Sequence, residues 1–430
     1  MQDVISPNTG LVIGRWTPDS AARIGTVLDR LPQAIADLAS PDRRKAFLSA
    51  AIARIDQARA PLAAIIVAEV GKTPSEAADE VDYAISFLRH ALTQVPVAGL
   101  DTGERRLRVV PAGPVLAITP YNDPLAGIVR KIAPAIAAGC PVVVKPSGLG
   151  HLTALTLFEA LSDAVPADAV TQVNTDDRAM LHRLVADPRF RVLSFTGSTP
   201  TGMAIAAQAG LKRLVLELGG NNPFLVLEGA DLDRAATDAV ARKTRAAGQA
   251  CSAQNRIYVV APLFNAFRDR FLDRLNAVRF GASDGGVAMG PVRSPRDLDR
   301  LMALSAGGQA LGTLAAPAPF AFGPVVLDDD TALREAEAFG PLVSLCPVAD
   351  RRSALALAAS EEQALVCYLY GEVEPADLAP LRFGSLGINS TKIQGAEVPT
   401  GGFGTAGIGR EGGDWGLREF QTTINERWGI

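Results

Sequence analysis

Histidine and cysteine are scarce in this chain, and their scarcity narrows its chemistry. Only 3 histidines and 4 cysteines occur in 430 residues, and Cys140, Cys251, Cys346 and Cys367 lie far apart without paired spacing. This distribution argues against a zinc site and favours reduced thiols in a cytoplasm over disulfides. We therefore expect no bound metal, and we expect any general base to be a carboxylate.

Long apolar runs and basic clusters are also missing. The most apolar segment, Ile132–Val144, is short and is broken by prolines and a glycine, so it does not resemble a membrane span. The first ten residues are polar and turn-like, unlike an ordinary signal peptide. The formal net charge is -4, without basic clusters interleaved with aromatic residues, which argues against nucleic acid. We expect a cytoplasmic protein without membrane or nucleic-acid partners.

The length predicts two or three domains with a large core. Alanine-, leucine- and arginine-rich patterns from Ser20 to Gln94 predict helices, and the segment Gly103–Val110 predicts an exposed strand. That strand is either a solvated edge or a surface that pairs with another subunit. From Pro111 onward, apolar strands alternate with helices, which predicts a parallel α/β sheet with ligands at the strand ends. The individual predictions are strands at 115–119, 142–145, 192–195 and 256–260, and a helix at 125–138.

The loops that follow these strands are the first candidates for a binding site. The loop Thr196–Gly202 is rich in glycine and leads into a helix, whose backbone N–H groups and positive dipole end suit a phosphate. It lacks the Gly-Lys-Ser/Thr ending of a P-loop and is not a clean Gly-x-Gly-x-x-Gly. By itself it therefore favours neither an ATPase nor an ordinary Rossmann enzyme.

Cys251 lies between a predicted helix, which begins near Asp231 and ends at Gly248, and the predicted strand from Arg256. A single cysteine between a helix and a strand is most often an inert core residue. Its assignment as a nucleophile therefore depends on the motifs that accompany it.

Seven motifs in order make the chain resemble the aldehyde dehydrogenase superfamily from Ser6 to Glu426. These motifs are Pro-Tyr-Asn ending at Asn122, Lys145-Pro-Ser147, Phe195-Thr-Gly-Ser198, Leu216-Glu-Leu-Gly-Gly220, Gly248-Gln-Ala-Cys251, Glu337-Ala-Phe-Gly-Pro341 and Gly407-Ile-Gly-Arg-Glu411. The resemblance implies an α/β fold in three parts. A parallel-sheet dinucleotide-binding domain would comprise 1–95 and 112–218, an α/β catalytic domain 219–415, and a small β oligomerisation arm 96–111 and 416–430, which would join a homodimer or homotetramer.

By resemblance, Cys251 would be the nucleophile, since a thiolate adds to an aldehyde and sulfur later leaves from the thioester. The oxyanion would be held by the Asn122 side-chain amide and the Cys251 backbone N–H. Glu217 would be the general base for the thiol, the hydrolytic water or both. The simpler interpretations are a turn residue at Asn122 and a solvated charge at Glu217. The apolar neighbours and paired glycines around Glu217 weaken the second of these.

The resemblance also implies NAD or NADP as cofactor. Lys145 would reach the adenosine ribose, Ser198 with Gly197 the pyrophosphate, and Glu337 the nicotinamide ribose. The full implied set is Thr119, Pro120, Lys145, Ser147, Gly197, Ser198, Leu218, Glu337 and Phe339. Many family members carry a glutamate where Gly148 stands, and its absence removes a carboxylate that would repel a 2′-phosphate. This places NADP slightly ahead of NAD, whereas a Gly148 that only serves a tight turn would leave NAD bound through Lys145.

Arg130 and Arg245 match positions where the succinate semialdehyde dehydrogenase branch grips the substrate carboxylate. Two such arginines favour a carboxylated aldehyde, since a guanidinium suits a carboxylate. The loop Lys392–Gly395 lacks that branch's serine, so chain length or head group can differ. A phosphate- or CoA-dependent acylating enzyme and a catalytically dead structural protein remain as alternatives. Glu217 favours water as the acyl acceptor, and the intact nucleophile and base argue against a dead member.

Overall fold

A computed structural model describes residues 1–95, 100–101, 105–163, 168–283, 286–306, 318–334 and 336–427. The α-helices are α1 Ala21–Asp29, α2 Leu31–Asp37, α3 Pro41–Gln57, α4 Arg59–Val70, α5 Pro74–Thr93, α6 Ala126–Ala138, α7 His151–Leu161, α8 Arg178–Ala186, α9 Thr199–Gln208, α10 Leu232–Thr244, α11 Phe264–Asn276, α12 Pro295–Ser305, α13 Thr331–Arg334, α14 Arg351–Ala359, α15 Pro375–Leu378 and α16 Gly413–Arg418. The strands are β1 Gln2–Ile5, β2 Val12–Trp16, β3 Leu100–Asp101, β4 Arg105–Pro111, β5 Val115–Ile118, β6 Val142–Lys145, β7 Val170–Gln172, β8 Val192–Thr196, β9 Arg213–Glu217, β10 Asn222–Val226, β11 Gln254–Val260, β12 Val325–Leu327, β13 Leu342–Val348, β14 Gln363–Ala364, β15 Val366–Tyr370, β16 Ser385–Ile388, β17 Phe403–Gly404, β18 Gly407–Ile408 and β19 Gln421–Arg427.

The first large sheet has the strand order β18-β9-β8-β5-β6-β7. Strands β9, β8, β5, β6 and β7 are parallel, and β18 joins β9 in the antiparallel sense. Every residue of β5 and β8 is buried, as expected for a parallel sheet that is covered on both faces. The predicted parallel α/β fold is thus confirmed, and the loops after β5, β6, β8 and β9 meet at one edge of the sheet.

The second large sheet has the order β12-β13-β11-β10-β15-β16, and all of its neighbouring strands are parallel. Residues Gly219 and Gly220 connect β9 of the first sheet to β10 of the second. The two sheets therefore meet near the end of β9. Strand β18 lies within the range 219–415 that we assign to a catalytic domain, yet it pairs with the first sheet.

A third, antiparallel sheet has the order β19-β4-β3. Strand β4 pairs with β19 along its whole length, from Pro111 opposite Gln421 to Arg105 opposite Arg427. The two segments that we assign to an oligomerisation arm therefore pair within one chain. The ranges 96–99, 102–104 and 428–430 of that assignment lie outside the described residues.

The helix before Cys251 ends earlier than the sequence predicts. Helix α10 stops at Thr244, and a 3-10 turn, Arg245–Gly248, follows it. Within that turn Ala246 has φ 49° and Ala247 has φ 53°, which is left-handed backbone that disfavours a side chain bearing a Cβ. The predicted end at Gly248 is therefore wrong by four residues, and Arg245 lies beyond the helix.

No helix within the described ranges is both long enough and apolar enough to cross a membrane.

Candidate active site

Cys251 lies between the 3-10 turn and β11, with its side chain partly buried. The loop around it is packed tightly: a Cβ on Gly248 would lie 2.3 Å from the Gly340 carbonyl oxygen, and Gly248 has φ +68°. Only glycine fits there. The Cys251 carbonyl in turn accepts a 2.7 Å hydrogen bond from Asn222 Nδ2 at the start of β10. Residues 245–253, which we call the nucleophile loop after the predicted role of Cys251, are thus held by contacts with Gly340 and Asn222.

Glu217 ends β9 and is 4% exposed. Burial raises the pKa of its carboxyl well above the ordinary value, and the negative charge of Glu411 raises it further. Its Oε1 atom is buried and has no hydrogen-bond partner among the described residues. A solvated surface carboxylate is therefore the wrong description of Glu217. It is an enclosed acid with one oxygen left for another molecule.

Three further charged side chains act electrostatically on Glu217. Arg130 and Lys131, adjacent on α6, both pair with Glu411: Arg130 Nε lies 2.7 Å from Glu411 Oε2, and Lys131 Nζ donates to Oε1. Lys131 also donates to Ser194 Oγ at 3.0 Å and to Thr196 Oγ1 at 2.8 Å. Burial would raise the pKa of Glu411, but the two cations hold it below the ordinary value. Glu411 is therefore ionised beside Glu217, the predicted general base.

The Cys251 thiol is affected by the same charges. Burial raises its pKa to about 12, Arg130 opposes that shift, and Glu217 adds to it. The thiol is therefore protonated at neutral pH. It needs a base to accept its proton before sulfur can attack, and Glu217 is near enough for its charge to act on the thiol.

Asn122 lies in the turn after β5 and is 7% exposed. It lines a small cavity together with Lys72 from one side and Ala246 and Gln249 from the nucleophile loop. The structure thus brings the predicted oxyanion donor to the loop that carries Cys251, although the two residues are far apart in the sequence.

Most of the predicted cofactor residues lie at the carboxyl edge of the first sheet. Thr119 follows β5, Lys145 ends β6, and Leu218 follows β9. Ser198 is the residue before α9, and across the part of the chain that is described its side chain makes no capping hydrogen bond to that helix. The N-terminal backbone of α9 is therefore open to an anion. Gly197 donates its N–H to the Glu217 backbone carbonyl at 3.0 Å, which ties this loop to the predicted base.

Glu337 approaches from the second sheet. A Cβ on Gly219 would lie 2.3 Å from Glu337 Oε2, so the Gly-Gly pair after Glu217 leaves the space that this carboxylate occupies. Burial raises the pKa of Glu337 to about 7, whereas a Gly220 backbone hydrogen bond lowers it. Phe339 has φ 40° and packs edge-on against Tyr121, with ring centroids 6.1 Å apart.

Some predicted residues have other partners. Ser147 Oγ accepts the Leu149 N–H at 3.3 Å and caps the 3-10 turn Gly148–Gly150, so its hydroxyl serves its own backbone. Pro120 packs beside α6, where a Cβ on Gly127 would lie 3.3 Å from its ring. These contacts give both residues a structural role in the loops that follow β5 and β6.

The two predicted substrate arginines differ in environment. Arg130 is buried and already has Glu411 as its counter-ion. The Arg245 side chain is 52% exposed, and its Nη2 lies 3.9 Å from Asp79 Oδ2, which is a loose contact. Only Arg245 therefore presents a guanidinium that a soluble anion can reach without displacing a buried partner.

Sequence reasoning missed a charged group on α5 and the loop before it. Lys72, Glu76 and Glu80 all contact the loops of the site, whereas the sequence predicted only helices for their segment. The spacing of Glu76 and Glu80, one helical turn apart, was the available signal. Glu411 was quoted as part of a motif but was given no role.

Comparisons with known proteins show which family and which solved structures this chain is similar to. The model of the "Aldehyde dehydrogenase family" matches residues 1–425. Succinate-semialdehyde dehydrogenase of Paenarthrobacter nicotinovorans is 35% identical over 84% of this chain and 86% of that protein. Succinate-semialdehyde dehydrogenase [NADP(+)] of Escherichia coli (strain K12) is 34% identical over 84% of this chain and 80% of its own length. The crystal structure of succinate-semialdehyde dehydrogenase from Burkholderia pseudomallei superposes with a TM-score of 0.95, at 32% identity over 100% of this chain and 94% of that one.

Proposed function

The chain belongs to the aldehyde dehydrogenase family, and from that premise we propose that it oxidises a carboxylated semialdehyde such as succinate semialdehyde to the dicarboxylic acid. Its general activity as an NAD(P)-dependent aldehyde dehydrogenase follows from the family match and the named dehydrogenase relatives. The substrate class and the residue roles below are our assignments.

Cys251 is assigned as the nucleophile and Glu217 as its base. Because the pKa of the buried thiol is raised, the thiol is protonated and must lose its proton before sulfur can react. The enclosed Glu217 carboxylate can accept that proton when it is ionised. Sulfur then bonds to the aldehyde carbon, which gives a thiohemiacetal and later a thioester. Glu217 releases that proton to solvent. It then takes a proton from the water that cleaves the thioester and returns it to the leaving sulfur, so the acid leaves and the thiol is restored.

The oxyanion of the adduct is assigned to the Asn122 side-chain amide and the Cys251 backbone N–H. Support comes from the position of Asn122 beside Ala246 and Gln249 of the nucleophile loop. A donor of this kind is worth about 3 kcal/mol of transition-state stabilisation.

The residues at the sheet edge fit NAD(P). Across the described chain, Thr119 Oγ1 and Glu337 Oε1 are buried without a hydrogen-bond partner, as expected of atoms that await ligand hydroxyls. Lys145 and Glu337 would hold the two riboses, and the start of α9 at Ser198 would hold the pyrophosphate. When bound, the nicotinamide accepts the hydride that leaves the adduct. Gly148 carries no carboxylate that would repel a 2′-phosphate, which supports the slight preference for NADP.

The observation that carries the substrate proposal is the convergence of two arginines on the Asn122 turn. Burial would raise the pKa of Asp123, the residue after Asn122, but Lys72 lowers it, and the charges of Arg130 and Arg245 lower it further. The charges of Arg130 and Arg245 therefore both act on the residue next to Asn122, the assigned oxyanion donor. Arg245 would contact the substrate carboxylate, and Arg130 would contribute positive electrostatic potential from its buried position.

Steady-state assays with semialdehydes of three to five carbons and a neutral aldehyde of matched length, each with NAD and NADP, test this proposal. We expect a higher kcat/KM for the carboxylated member of each pair. A neutral aldehyde that is oxidised equally well would reject the carboxylate assignment and leave the family activity intact. Product analysis with CoA or phosphate present identifies the acceptor of the acyl group. Acyl-CoA or acyl phosphate in place of the free acid would mean that the thioester is cleaved by acyl transfer and not by hydrolysis.

A further inference from the structure

The two loops of the site are held by one short stretch of chain, which we call the α4–α5 corner and define as Lys72, Glu76 and Glu80. Lys72 follows α4, and the other two residues lie on the first two turns of α5. Lys72 is 4% exposed and Glu80 2% exposed. None of the three has a role in the chemistry assigned above, and the buried charges of Lys72 and Glu80 need another explanation.

The corner holds the Asn122 turn through three hydrogen bonds. Lys72 Nζ donates to Asp123 Oδ1 at 2.6 Å and to Glu80 Oε2 at 2.7 Å. Glu80 Oε1 accepts the backbone N–H groups of Leu125 at 2.9 Å and of Ala126 at 3.1 Å, which begin α6. The residues that follow Asn122 are thus bound to the α4–α5 corner by the buried charged side chains of Lys72 and Glu80.

The corner holds the nucleophile loop through one contact. Glu76 Oε1 accepts the N–H of Ala246 at 2.7 Å, five residues before Cys251. Ala246 is one of the two alanines with left-handed backbone, a conformation that persists only where its surroundings stabilise it. The other oxygen, Glu76 Oε2, accepts the Thr73 N–H at 2.9 Å in a capping box, so the carboxylate is fixed in place.

We propose that Lys72, Glu76 and Glu80 are positioning residues that set the separation of Asn122 from the Cys251 loop, and so the geometry of the oxyanion site. The inference rests on the proposed roles of Asn122 and Cys251 but not on the identity of the substrate. An oxyanion site depends on this separation because its donors must lie about 3 Å from the oxygen. A misplacement of about 1 Å costs on the order of a hundredfold in rate.

Glu76→Ala tests the contact to the nucleophile loop, and Thr73→Ala is its matched control. Both substitutions remove the capping box, but only the first removes the acceptor for Ala246 N–H. We expect Glu76→Ala to lower kcat about tenfold or more with an unchanged Kd for NADP. Thr73→Ala should lower Tm by about as much as Glu76→Ala does, because both remove the capping box. It should nevertheless keep kcat within about twofold of the wild type. Glu76→Gln, which retains an acceptor, should restore most of kcat.

Asp123→Asn tests the contact to the turn and separates position from charge. Loss of the Asp123 charge weakens the hold of Lys72 but also removes an anion that disfavours the Cys251 thiolate. A positioning role predicts a lower kcat, whereas a purely electrostatic role predicts a higher kcat at low pH and overturns the proposal for this contact.

All variants are assayed with a neutral aldehyde as well as with succinate semialdehyde, alongside Cys251→Ala. Equal kcat for Glu76→Ala and Thr73→Ala overturns the positioning role and leaves the proposed function standing. Turnover by Cys251→Ala would instead reject the proposed function itself.

Discussion

Arg130 Nε lies 2.7 Å from Glu411 Oε2, and both side chains are buried. The arginine that the sequence assigns to the substrate carboxylate thus already has an anionic partner from the far end of the chain. Arg245 has only a loose, exposed contact to Asp79. The two arginines should therefore respond differently to substitution, even though the sequence gives them the same role.

We predict that Arg245→Met lowers kcat/KM for succinate semialdehyde about tenfold to a hundredfold, because one charge-assisted hydrogen bond to a carboxylate is worth roughly 1.5–3 kcal/mol. A neutral aldehyde of similar length should lose far less, since it has no anion to leave unpaired. Parallel kinetics on the two substrates provide the measurement. Equal losses would mean that Arg245 supports structure.

Arg130→Met should combine a similar kinetic loss with a loss of stability. Removing one partner of a buried ion pair costs about 3–5 kcal/mol, because Glu411 would keep only Lys131. Denaturant unfolding of both arginine variants gives the comparison. A free energy of unfolding for Arg130→Met equal to that of Arg245→Met would contradict the importance of the Glu411 pair.

Cys251→Ala should abolish dehydrogenase activity and leave NADP binding unchanged, because the thiol forms the covalent adduct but does not belong to the assigned cofactor residues. Turnover with succinate semialdehyde and a binding titration with NADP are measured on the same preparation. The nucleophile assignment fails if this variant retains substantial turnover.

Glu217→Gln should slow thioester hydrolysis and remove the acidic limb of the pH profile. Burial and Glu411 raise the pKa of Glu217, so the ionised base is lost at a higher pH than for an ordinary glutamate as the pH falls. Wild-type kcat should therefore rise with pH through this raised pKa, and the variant should lack that rise. Unchanged steady-state turnover in the variant would place the base elsewhere.

The same substitution should stabilise the fold above the ordinary glutamate range. A carboxyl whose folded pKa is raised stabilises the protein fully below its unfolded pKa of about 4.3 and loses that contribution as pH rises through the folded pKa. Glutamine does not titrate. We therefore expect Glu217→Gln to have a higher Tm than the wild type at about pH 8, with the difference shrinking toward about pH 4. Thermal melts across that range decide the matter.

Homo-oligomerisation through the third sheet is a further prediction. Strand β19 is an edge strand, five of its seven residues are exposed, and an exposed edge is commonly covered by a partner. We expect a dimer or tetramer by light scattering. Ile424→Lys on β19 should shift it toward smaller species, and a strictly monomeric, active wild type would contradict the prediction.

Some structural features could be predicted from the chain alone because they depend on local pattern. The strand Val142–Lys145 was predicted with its observed bounds, and Leu125–Ala138 differs from α6 by one residue. Apolar runs bounded by proline and glycine specify such elements wherever the tertiary fold places them. The order of motifs likewise identified the family, which the comparisons confirm.

The tertiary structure alone decided which charges meet and how the nucleophile loop bends. Glu411 reaches Arg130, and Lys72 reaches Asp123, across long separations in the sequence. Coulomb attraction and desolvation depend on distance and burial in space, and sequence spacing carries neither. Helix α10 ends early for a related reason: the Glu76 carboxylate accepts the N–H of left-handed Ala246, a contact from a distant helix that no local propensity of alanine predicts.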